Sequence, residues 1–338
     1  MSRTNSITTA QPSGNWSETI NSINPFVFLV GCPRSGTTML KRMVNAHPLV
    51  AVPRETHWIP RHFEKRKGVT DDGLVTDRIV DKFFEHHRFD QMKMRRERLE
   101  AIVEQNPGMI YASLVSQIFD HYGKRKKKPL VGDKTPTYVR KMPTLHQLWP
   151  QAKFVHLVRD GRDVCLSMRN WRMVHKAAGQ FSTWKVDSTV TTALWWKALV
   201  GLGMQDGVAM GENRYLDLRY EQLVLSPSRE CRKIASFLEL PYSENMENYY
   251  EGRTRTNGDL STNAAWLPPT PGRRNWRDQM TAEQVERFEA AAGNLLDTLG
   301  YERACPNVSK LVARNVGLLK QQFTEEIKAK NWRLPDLW

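Results

Sequence analysis

A short loop between a predicted strand and a predicted helix holds the residues with the clearest chemical meaning. Residues 26–30 are apolar and typical of a buried strand, a turn runs from Gly31 to Gly36, and a helix begins at Thr37. Backbone N–H groups in such a turn, with the positive end of the helix dipole behind them, bind anions. The sequence therefore predicts a site for a phosphate-like group at the start of this helix.

The loop has the spacing of the ATP-binding motif G-x-x-x-x-G-K-[ST] but lacks its lysine. Thr37 stands at the lysine position, and a different cation, Arg34, lies inside the loop. The motif lysine normally reaches the β- and γ-phosphates of a nucleoside triphosphate. Its absence argues against ATP or GTP hydrolysis and favours a phosphate-like group that is not part of a triphosphate.

Predicted strands and helices alternate along the chain, which indicates an α/β fold with a mainly parallel sheet. Further strands are predicted at 130–132, 153–158 and 214–218, and the second of these ends directly before Arg159. A capping box that starts at Thr281 predicts one of the later helices. Ligands of such folds bind outside the carboxyl ends of the strands, so we expect the functional residues at that edge.

The composition favours a globular protein with anionic ligands. The 338 residues are 40% hydrophobic and carry a formal net charge of +14, from 50 Lys and Arg against 36 Asp and Glu. The cations are scattered, and the densest run, residues 124–128, is predicted to be a solvated loop, so we expect no nucleic-acid partner. The four cysteines are far apart and have no metal-ligand spacing, which indicates reduced thiols and no metal site.

The two ends of the chain differ from its middle. Residues 1–24 are polar and lack the apolar core of a signal peptide, and no run of about 18 apolar residues occurs. We expect a flexible leader over 1–24, one domain over 25–302, no membrane span and a cytoplasmic location. An amphipathic helix and an aromatic tail within 303–338 should pack on the domain, with a homodimer contact or an acceptor-site wall as alternatives.

Six motifs follow one another in order along the chain. They occupy residues 33–38, 45–48, 54–56, 132–136, 158–162 with Ser167, and 219–223. Together they resemble the sulfotransferases that use 3′-phosphoadenosine-5′-phosphosulfate (PAPS), most of all the tyrosylprotein sulfotransferases and their bacterial relatives. The resemblance covers residues 26–302. It implies a P-loop-type three-layer fold with a central, mainly parallel sheet flanked by helices.

The resemblance also implies where the PAPS donor binds. The residues expected to contact it are Pro33, Arg34, Ser35, Gly36, Thr37, Thr38, Arg159, Ser167, Tyr220, Ser261, Arg273, Arg274 and Trp276. Arg159 and Ser167 would hold the 3′-phosphate, which a guanidinium can bind through two parallel hydrogen bonds. This chain has Asn275 where the tyrosylprotein branch has a lysine, so either Arg273 or Arg274 would take over that contact.

Two further motifs are expected to supply catalytic groups. By the resemblance, Glu55 is the base that takes the proton of the acceptor hydroxyl, and His57 is a second candidate for that role. Lys134 and Arg34 would neutralise the charge that develops on the bridging oxygen and the transferred group. A sulfuryl group carries less charge than a phosphoryl group, so no metal ion is expected.

The sequence therefore predicts an enzyme that moves a sulfuryl group from PAPS to a hydroxyl of a small molecule, a saccharide or a tyrosyl peptide, leaving adenosine 3′,5′-bisphosphate. Two alternatives stay open. One is a nucleotide kinase or NTPase with a degenerate loop, against which Thr37 argues. The other is a catalytically inert polyanion-binding protein, against which the presence of Glu55, Lys134 and Arg159 argues.

Overall fold

The computed structural model describes residues 22–251, 267–272, 274–336 and 338. Within these ranges the strands are β1 (Val27–Gly31), β2 (Val50–Ala51), β3 (Leu130–Val131), β4 (Asp133–Lys134), β5 (Lys153–Val158) and β6 (Tyr215–Arg219). The helices are α1 (Thr37–Ala46), α2 (Ile59–Glu64), α3 (Ile79–Phe84), α4 (Arg96–Glu104), α5 (Tyr111–Lys126), α6 (Met142–Leu148), α7 (Gly161–Arg169), α8 (Thr183–Val186), α9 (Ser188–Met210), α10 (Tyr220–Leu225), α11 (Pro227–Phe237), α12 (Trp276–Gln279), α13 (Ala282–Thr298) and α14 (Lys310–Ala329). Short 3-10 helices occupy Phe89–Met92, Pro136–Lys141, Val174–Lys176, Ala178–Gln180 and Glu244–Met246.

Parallel strands in the order β4-β1-β5-β6 form the central sheet. Side chains of successive strand residues point to opposite faces of a sheet, and the packing follows this rule. Phe28 and Phe154 pack into a core on one face, whereas Leu29 and Val155 pack into a second core on the other. Helices cover both faces, so the predicted three-layer α/β fold is confirmed.

A second, two-stranded sheet pairs β2 with β3. The sequence pattern predicts one strand over 130–132, but the structure divides this segment, because β3 pairs with β2 while β4 pairs with β1. Gly132 stands where the chain changes partner. A Cβ atom there would lie 2.6 Å from Cγ1 and 2.7 Å from the carbonyl oxygen of Val27. The close crossing to β1 therefore requires glycine.

Helix α9 lies against the sheet and is buried along most of its length. Asp187 caps its first turn by accepting hydrogen bonds from the N–H groups of Thr189 at 2.8 Å and Val190 at 3.0 Å. Trp196 Nε1 donates to the carbonyl oxygen of Arg159 at 3.0 Å. This helix therefore also holds the segment that follows β5.

The C-terminal helix α14 and the tail after it pack on the same domain. Phe323 is fully buried, and its ring centroid lies 4.3 Å from that of Phe181 and 5.9 Å from that of Trp338. Arg333 Nη1 donates to Asp206 Oδ1 on α9 at 3.0 Å. The extension thus shares a core with the parent domain, and a homodimer contact stays a prediction.

The basic run at 124–128 is exposed to solvent over its first four residues, as predicted, but the prediction of a loop was wrong. Residues 124–126 form the last turn of α5. Cations at this end of a helix interact favourably with its dipole. Lys128 is turned inward, and its Nζ donates to the carbonyl oxygens of Asn45 at 2.6 Å, His47 at 2.8 Å and Val50 at 3.0 Å. One charge of the run therefore holds the end of α1 and the start of β2.

Of the predicted leader, residues 22–24 are described. Asn24 is buried, and its amide nitrogen donates to Asp120 Oδ1 at 2.8 Å and to the carbonyl oxygen of Pro129 at 2.9 Å. Its amide oxygen accepts from the N–H of Val131 at 2.7 Å. These bonds fasten the segment before β1 to α5 and β3.

Candidate active site

The anion-binding loop lies at the carboxyl end of β1, and its backbone requires glycine. Gly36 precedes α1 with φ of 93°, in the left-handed region. A Cβ atom on Gly36 would also lie 2.5 Å from the Tyr220 ring. The first N–H groups of α1, at Thr37 and Thr38, have no carbonyl partner within the helix. This is the geometry in which helix N-termini bind anions.

A glutamate and a lysine meet beside this loop. Lys134 ends β4, the strand next to β1, and Glu55 lies in the segment between β2 and α2. Lys134 Nζ is 2.7 Å from Glu55 Oε1, and the other carboxylate oxygen, Oε2, is 2.9 Å from His57 Nε2. Arg88 and Gln91 donate to the backbone carbonyl of Glu55 at 3.3 and 3.4 Å. Glu55 is therefore held through both its side chain and its backbone.

These partners keep Glu55 ionised. Burial alone would raise the pKa of this carboxyl, but the hydrogen bond with His57 and the charge and hydrogen bond of Lys134 outweigh it and hold the pKa well below its usual range. An ionised carboxylate only accepts hydrogen bonds, so His57 Nε2 carries the proton that joins the two groups. The neighbouring Asp133 is buried, and burial raises the pKa of its carboxyl to about 6.

Three arginines gather around one turn of α7. Arg34 Nε and Arg274 Nη1 each donate to Ser167 Oγ at 3.0 Å. Arg159 Nη2 is 3.0 Å from Asp163 Oδ2, and its Nε is buried without an acceptor in the described part of the chain. Burial, followed by repulsion from Arg274 and Arg159, lowers the pKa of Arg34 to about 10. A concentration of cations of this kind favours an anionic ligand.

Tyr220 connects the loop with the arginine cluster. Its ring packs against Gly36 and lies under Arg159, whose Cζ is 4.3 Å from the ring centroid. Arg159 follows β5 and Tyr220 follows β6, and these two strands pair in register up to Val158 and Arg219. Because the strands are parallel, residues that follow β1, β5 and β6 meet at one edge of the sheet.

Hydrogen bonds behind the cluster support Arg159. Glu221 Oε1 accepts from the N–H of Asp160 at 2.9 Å, and Oε2 accepts from the hydroxyl of Tyr301 at 3.0 Å. Burial raises the pKa of Glu221. Glu221, in the motif at 219–223, thus contacts Tyr301, which lies 80 residues later in the chain. Tyr301 stands near the end of the region that resembles the sulfotransferases.

The structure separates the roles of the two predicted residues on either side of Asn275. Arg274 reaches Ser167, as described above. Trp276 is buried with its ring centroid 3.6 Å from Arg162 Cζ, and its N–H donates to Asp163 Oδ1 at 3.0 Å. The tryptophan therefore packs behind the arginine cluster.

Arg34 was expected both at the donor and among the catalytic groups. It lies with Ser167, and its Cζ is 5.3 Å from the ring centroid of Trp171. Within the described ranges, no hydrogen bond joins Arg34 to Glu55 or Lys134. The structure thus places it with the residues expected at the 3′-phosphate.

Three more predicted donor residues, Pro33, Ser35 and Thr38, belong to the loop or to the start of α1. Pro33 and Ser35 are buried in the loop, and Thr38 is half-buried at the second position of α1. Ser261 and Arg273 lie outside the described residues.

Sequence reasoning missed four residues that hold the site. Arg88 and Gln91 contact Glu55 across more than 30 residues of chain, and no local pattern signals such a contact. No local sequence pattern predicts the contact between Trp171 and Arg34 either. Asp163 could have been found, because it stands four residues after Arg159, a spacing at which opposite charges pair.

Residues 25–244 match the sequence model of the Sulfotransferase family. The chain belongs to the sulfotransferase family. It is 28% identical over 226 residues to Protein-tyrosine sulfotransferase A of Caenorhabditis elegans, covering 67% of this chain and 53% of that protein. It is 25% identical over 285 residues to the Protein-tyrosine sulfotransferase of Drosophila melanogaster, covering 82% of this chain and 52% of that protein. The chain thus spans about half the length of these two relatives.

A solved structure has the same fold as this sulfotransferase-family chain. It is the sulfotransferase domain from the Synechococcus PCC 7002 olefin synthase, with a TM-score of 0.52 and 23% sequence identity, over 83% of this chain and 96% of that chain. The family resemblance predicted from the six motifs is confirmed.

The family match includes the loop and the residues Glu55, Lys134, Arg159 and Tyr220, whereas Arg274 lies beyond it. In the part of this sulfotransferase-family chain that the structure describes, no helix combines the length and apolar character needed to cross a membrane. The same ranges contain no group of three or more His, Cys, Asp or Glu side chains arranged to hold a metal ion.

Proposed function

We propose that this chain moves a sulfuryl group from PAPS to a hydroxyl acceptor. The observation that carries the proposal is the contact between Glu55 and Lys134, 2.7 Å apart beside the anion-binding loop. A carboxylate can accept the proton of the acceptor, and a cation can neutralise the oxygen that leaves. These are the two groups that in-line sulfuryl transfer requires next to a bound phosphosulfate.

The residues present suit the donor. The N–H groups at the start of α1 suit a 5′-phosphosulfate, and Arg159, Ser167 and Arg274 suit a 3′-phosphate. Two observations support the fit: Arg159 Nε is buried without an acceptor in the described part of the chain, and the arginines repel one another. An anionic group among them would supply the acceptor and relieve the repulsion.

Glu55 is the proposed base. The acceptor oxygen forms a bond to sulfur while the bond from sulfur to the bridging oxygen breaks, and the hydroxyl proton passes to Glu55. Lys134 stabilises the bridging oxygen as it leaves with adenosine 3′,5′-bisphosphate. Because Lys134 lowers the pKa of Glu55, a shift of the ammonium group toward the leaving oxygen raises the proton affinity of the carboxylate when it is needed.

His57 is proposed to orient Glu55 and not to replace it as the base. Its Nε2 is bound to Glu55 Oε2 at 2.9 Å, so this nitrogen already directs its proton at the carboxylate. The residue adopts a left-handed backbone with φ of 59°. Such a conformation costs free energy for a residue with a side chain and persists where the surroundings enforce it.

The acceptor is proposed as a class. The two relatives compared above are named protein-tyrosine sulfotransferases, which makes a tyrosyl hydroxyl the first acceptor to test. Hydroxyls of small molecules and saccharides are the other candidates.

The donor site is tested by calorimetric titration with adenosine 3′,5′-bisphosphate, AMP and ATP in the absence of Mg²⁺. We expect micromolar binding of the bisphosphate and AMP binding weaker by about tenfold to a hundredfold, because hydrogen bonds between charged groups contribute roughly 1.5–3 kcal/mol each. Arg159→Gln should lose this preference. Arg314→Gln, which removes the same charge from an exposed position of α14, should keep it.

Two outcomes would contradict the proposal. Equal or tighter binding of ATP would favour the nucleotide-kinase alternative. Binding of both the bisphosphate and heparin, with no transfer from PAPS to any class of hydroxyl acceptor, would favour the inert polyanion-binding protein.

A further inference from the structure

A small cavity lies between the end of α2, the segment leading into α6 and the C-terminal tail. Its volume is about 200 Å³, and Arg140, Lys141, Trp332 and Arg333 are among the residues that line it. A water molecule takes about 30 Å³ of liquid volume, so the cavity has room for a phosphate-sized group with some solvent. None of these residues takes part in the candidate active site.

Arg140 lines this cavity, and its guanidinium is stacked on the C-terminal tail. Its Cζ lies 3.6 Å from the ring centroid of Trp332, so the indole covers one face of the planar group. Stacking leaves the in-plane N–H groups available. Among the described residues, no acceptor forms a hydrogen bond with them. Burial lowers the pKa of Arg140 to about 10, and attraction to Glu64 acts in the opposite direction.

The nearby carboxylates are already bound by other groups. Glu64 accepts from Lys141 Nζ at 2.6 Å and from Thr144 Oγ1 at 2.9 Å. Asp206, behind the tail, pairs with Arg333. Glu64 also attracts Arg140, but no hydrogen bond joins the two, so among the described residues the N–H groups of Arg140 have no acceptor.

We propose that this cavity binds a small oxyanion, such as a phosphate, sulfate or carboxylate group, on the edge of the Arg140 guanidinium. The fork of a guanidinium matches two oxygens of such a group, and a fixed guanidinium loses little freedom when it binds them. Trp332 provides the platform that fixes the fork. The site would connect an anion to the C-terminal tail.

The proposal is tested by calorimetric titration of the full chain with inorganic phosphate, sulfate and acetate, each at constant ionic strength. Phosphate should bind both the loop before α1 and the Arg140 cavity, so Arg140→Gln should lose one binding event per chain. Arg314→Gln is the control of equal charge. Its titrations should match those of the wild type. The three anions distinguish between phosphate, sulfate and carboxylate as the preferred group.

A second variant keeps the test decisive if Arg140→Gln does not fold. Arg140→Lys retains the charge but loses the fork, and it should weaken this binding event by about tenfold or more. Identical titrations of the wild type, Arg140→Gln and Arg140→Lys would overturn the proposal. The Arg140 binding event should survive in Arg159→Gln, because Arg159 does not line this cavity. Loss of every anion-binding event in Arg159→Gln would therefore also overturn the proposal.

Discussion

Replacing Glu55 with glutamine should remove most of the transfer activity and leave the donor site intact. Glutamine has nearly the same shape and can still accept a hydrogen bond from Lys134, whose Nζ lies 2.7 Å from Glu55 Oε1. It cannot take the proton of the acceptor hydroxyl. Loss of a general base lowers the rate by about 10²- to 10⁴-fold, which corresponds to roughly 3–5 kcal/mol of activation free energy.

The pair of Lys153 and Glu239 offers a matched control. Lys153 Nζ is 2.7 Å from Glu239 Oε1, and this lysine is also buried, but it stands at the amino end of β5, away from the anion-binding loop. Glu239→Gln removes the same charge from an ion pair that also includes a buried lysine, although the Glu239 side chain is 80% exposed and that of Glu55 is 29% exposed. Its transfer rate should equal that of the wild type, because the substitution touches neither substrate.

The assay is single-turnover transfer from radiolabelled PAPS to a tyrosyl peptide at saturating donor, together with calorimetry of adenosine 3′,5′-bisphosphate. Glu55→Gln should change donor affinity by less than about fivefold, or roughly 1 kcal/mol. The reasoning is refuted if Glu55→Gln transfers sulfate as fast as the wild type. It is also refuted if the lost rate is explained by an equal loss of donor affinity.

Three further substitutions test the supporting contacts. Arg159→Gln should weaken binding of adenosine 3′,5′-bisphosphate by about a hundredfold but should hardly change binding of AMP, which has no 3′-phosphate. Equal losses of affinity for the two ligands in calorimetry would count against a 3′-phosphate contact. Gly36→Ala should lower the free energy of unfolding in urea more than Gly300→Ala, which changes the glycine that ends α13. The angle φ is positive at both residues (93° and 70°), but only a Cβ at Gly36 would meet the Tyr220 ring, so equal losses would contradict this. Asp133→Asn should stabilise the protein at pH 7 but not at pH 4. Burial raises the pKa of Asp133 to about 6, so the folded protein loses stability as pH rises toward that value and the buried carboxyl ionises. The difference is on the order of 3 kcal/mol for two pKa units, and a gain that does not change with pH would show that the ionised form carries no penalty.

The loop and the sheet edge could be predicted from the sequence because their signals are local. Residues 26–46 contain an apolar strand, a glycine turn and a helix start in direct succession. The strand at 153–158 has the predicted bounds and ends before Arg159. Parallel strands place such ends at one edge, so a predicted α/β order is enough to bring these residues together.

The contacts within the site could not be predicted from the residues alone, because they join distant parts of the chain. Glu55 and Lys134 are 79 residues apart, and Arg34 and Ser167 are 133 residues apart. The division of 130–132 between two sheets depends on how closely Gly132 approaches Val27. The inward turn of Lys128 depends on the carbonyl groups that α1 leaves at its end.

The central claim is tested most directly by following both products of one reaction. The 338-residue chain is mixed with radiolabelled PAPS and a panel of tyrosyl, saccharide and small-molecule hydroxyl acceptors, without Mg²⁺. The account predicts that one adenosine 3′,5′-bisphosphate appears for each sulfate ester formed, and that Glu55→Gln loses both products together. Failure of every acceptor class to gain label, with the donor bound but unchanged, would contradict it, as would Mg²⁺-dependent turnover of ATP by the same protein.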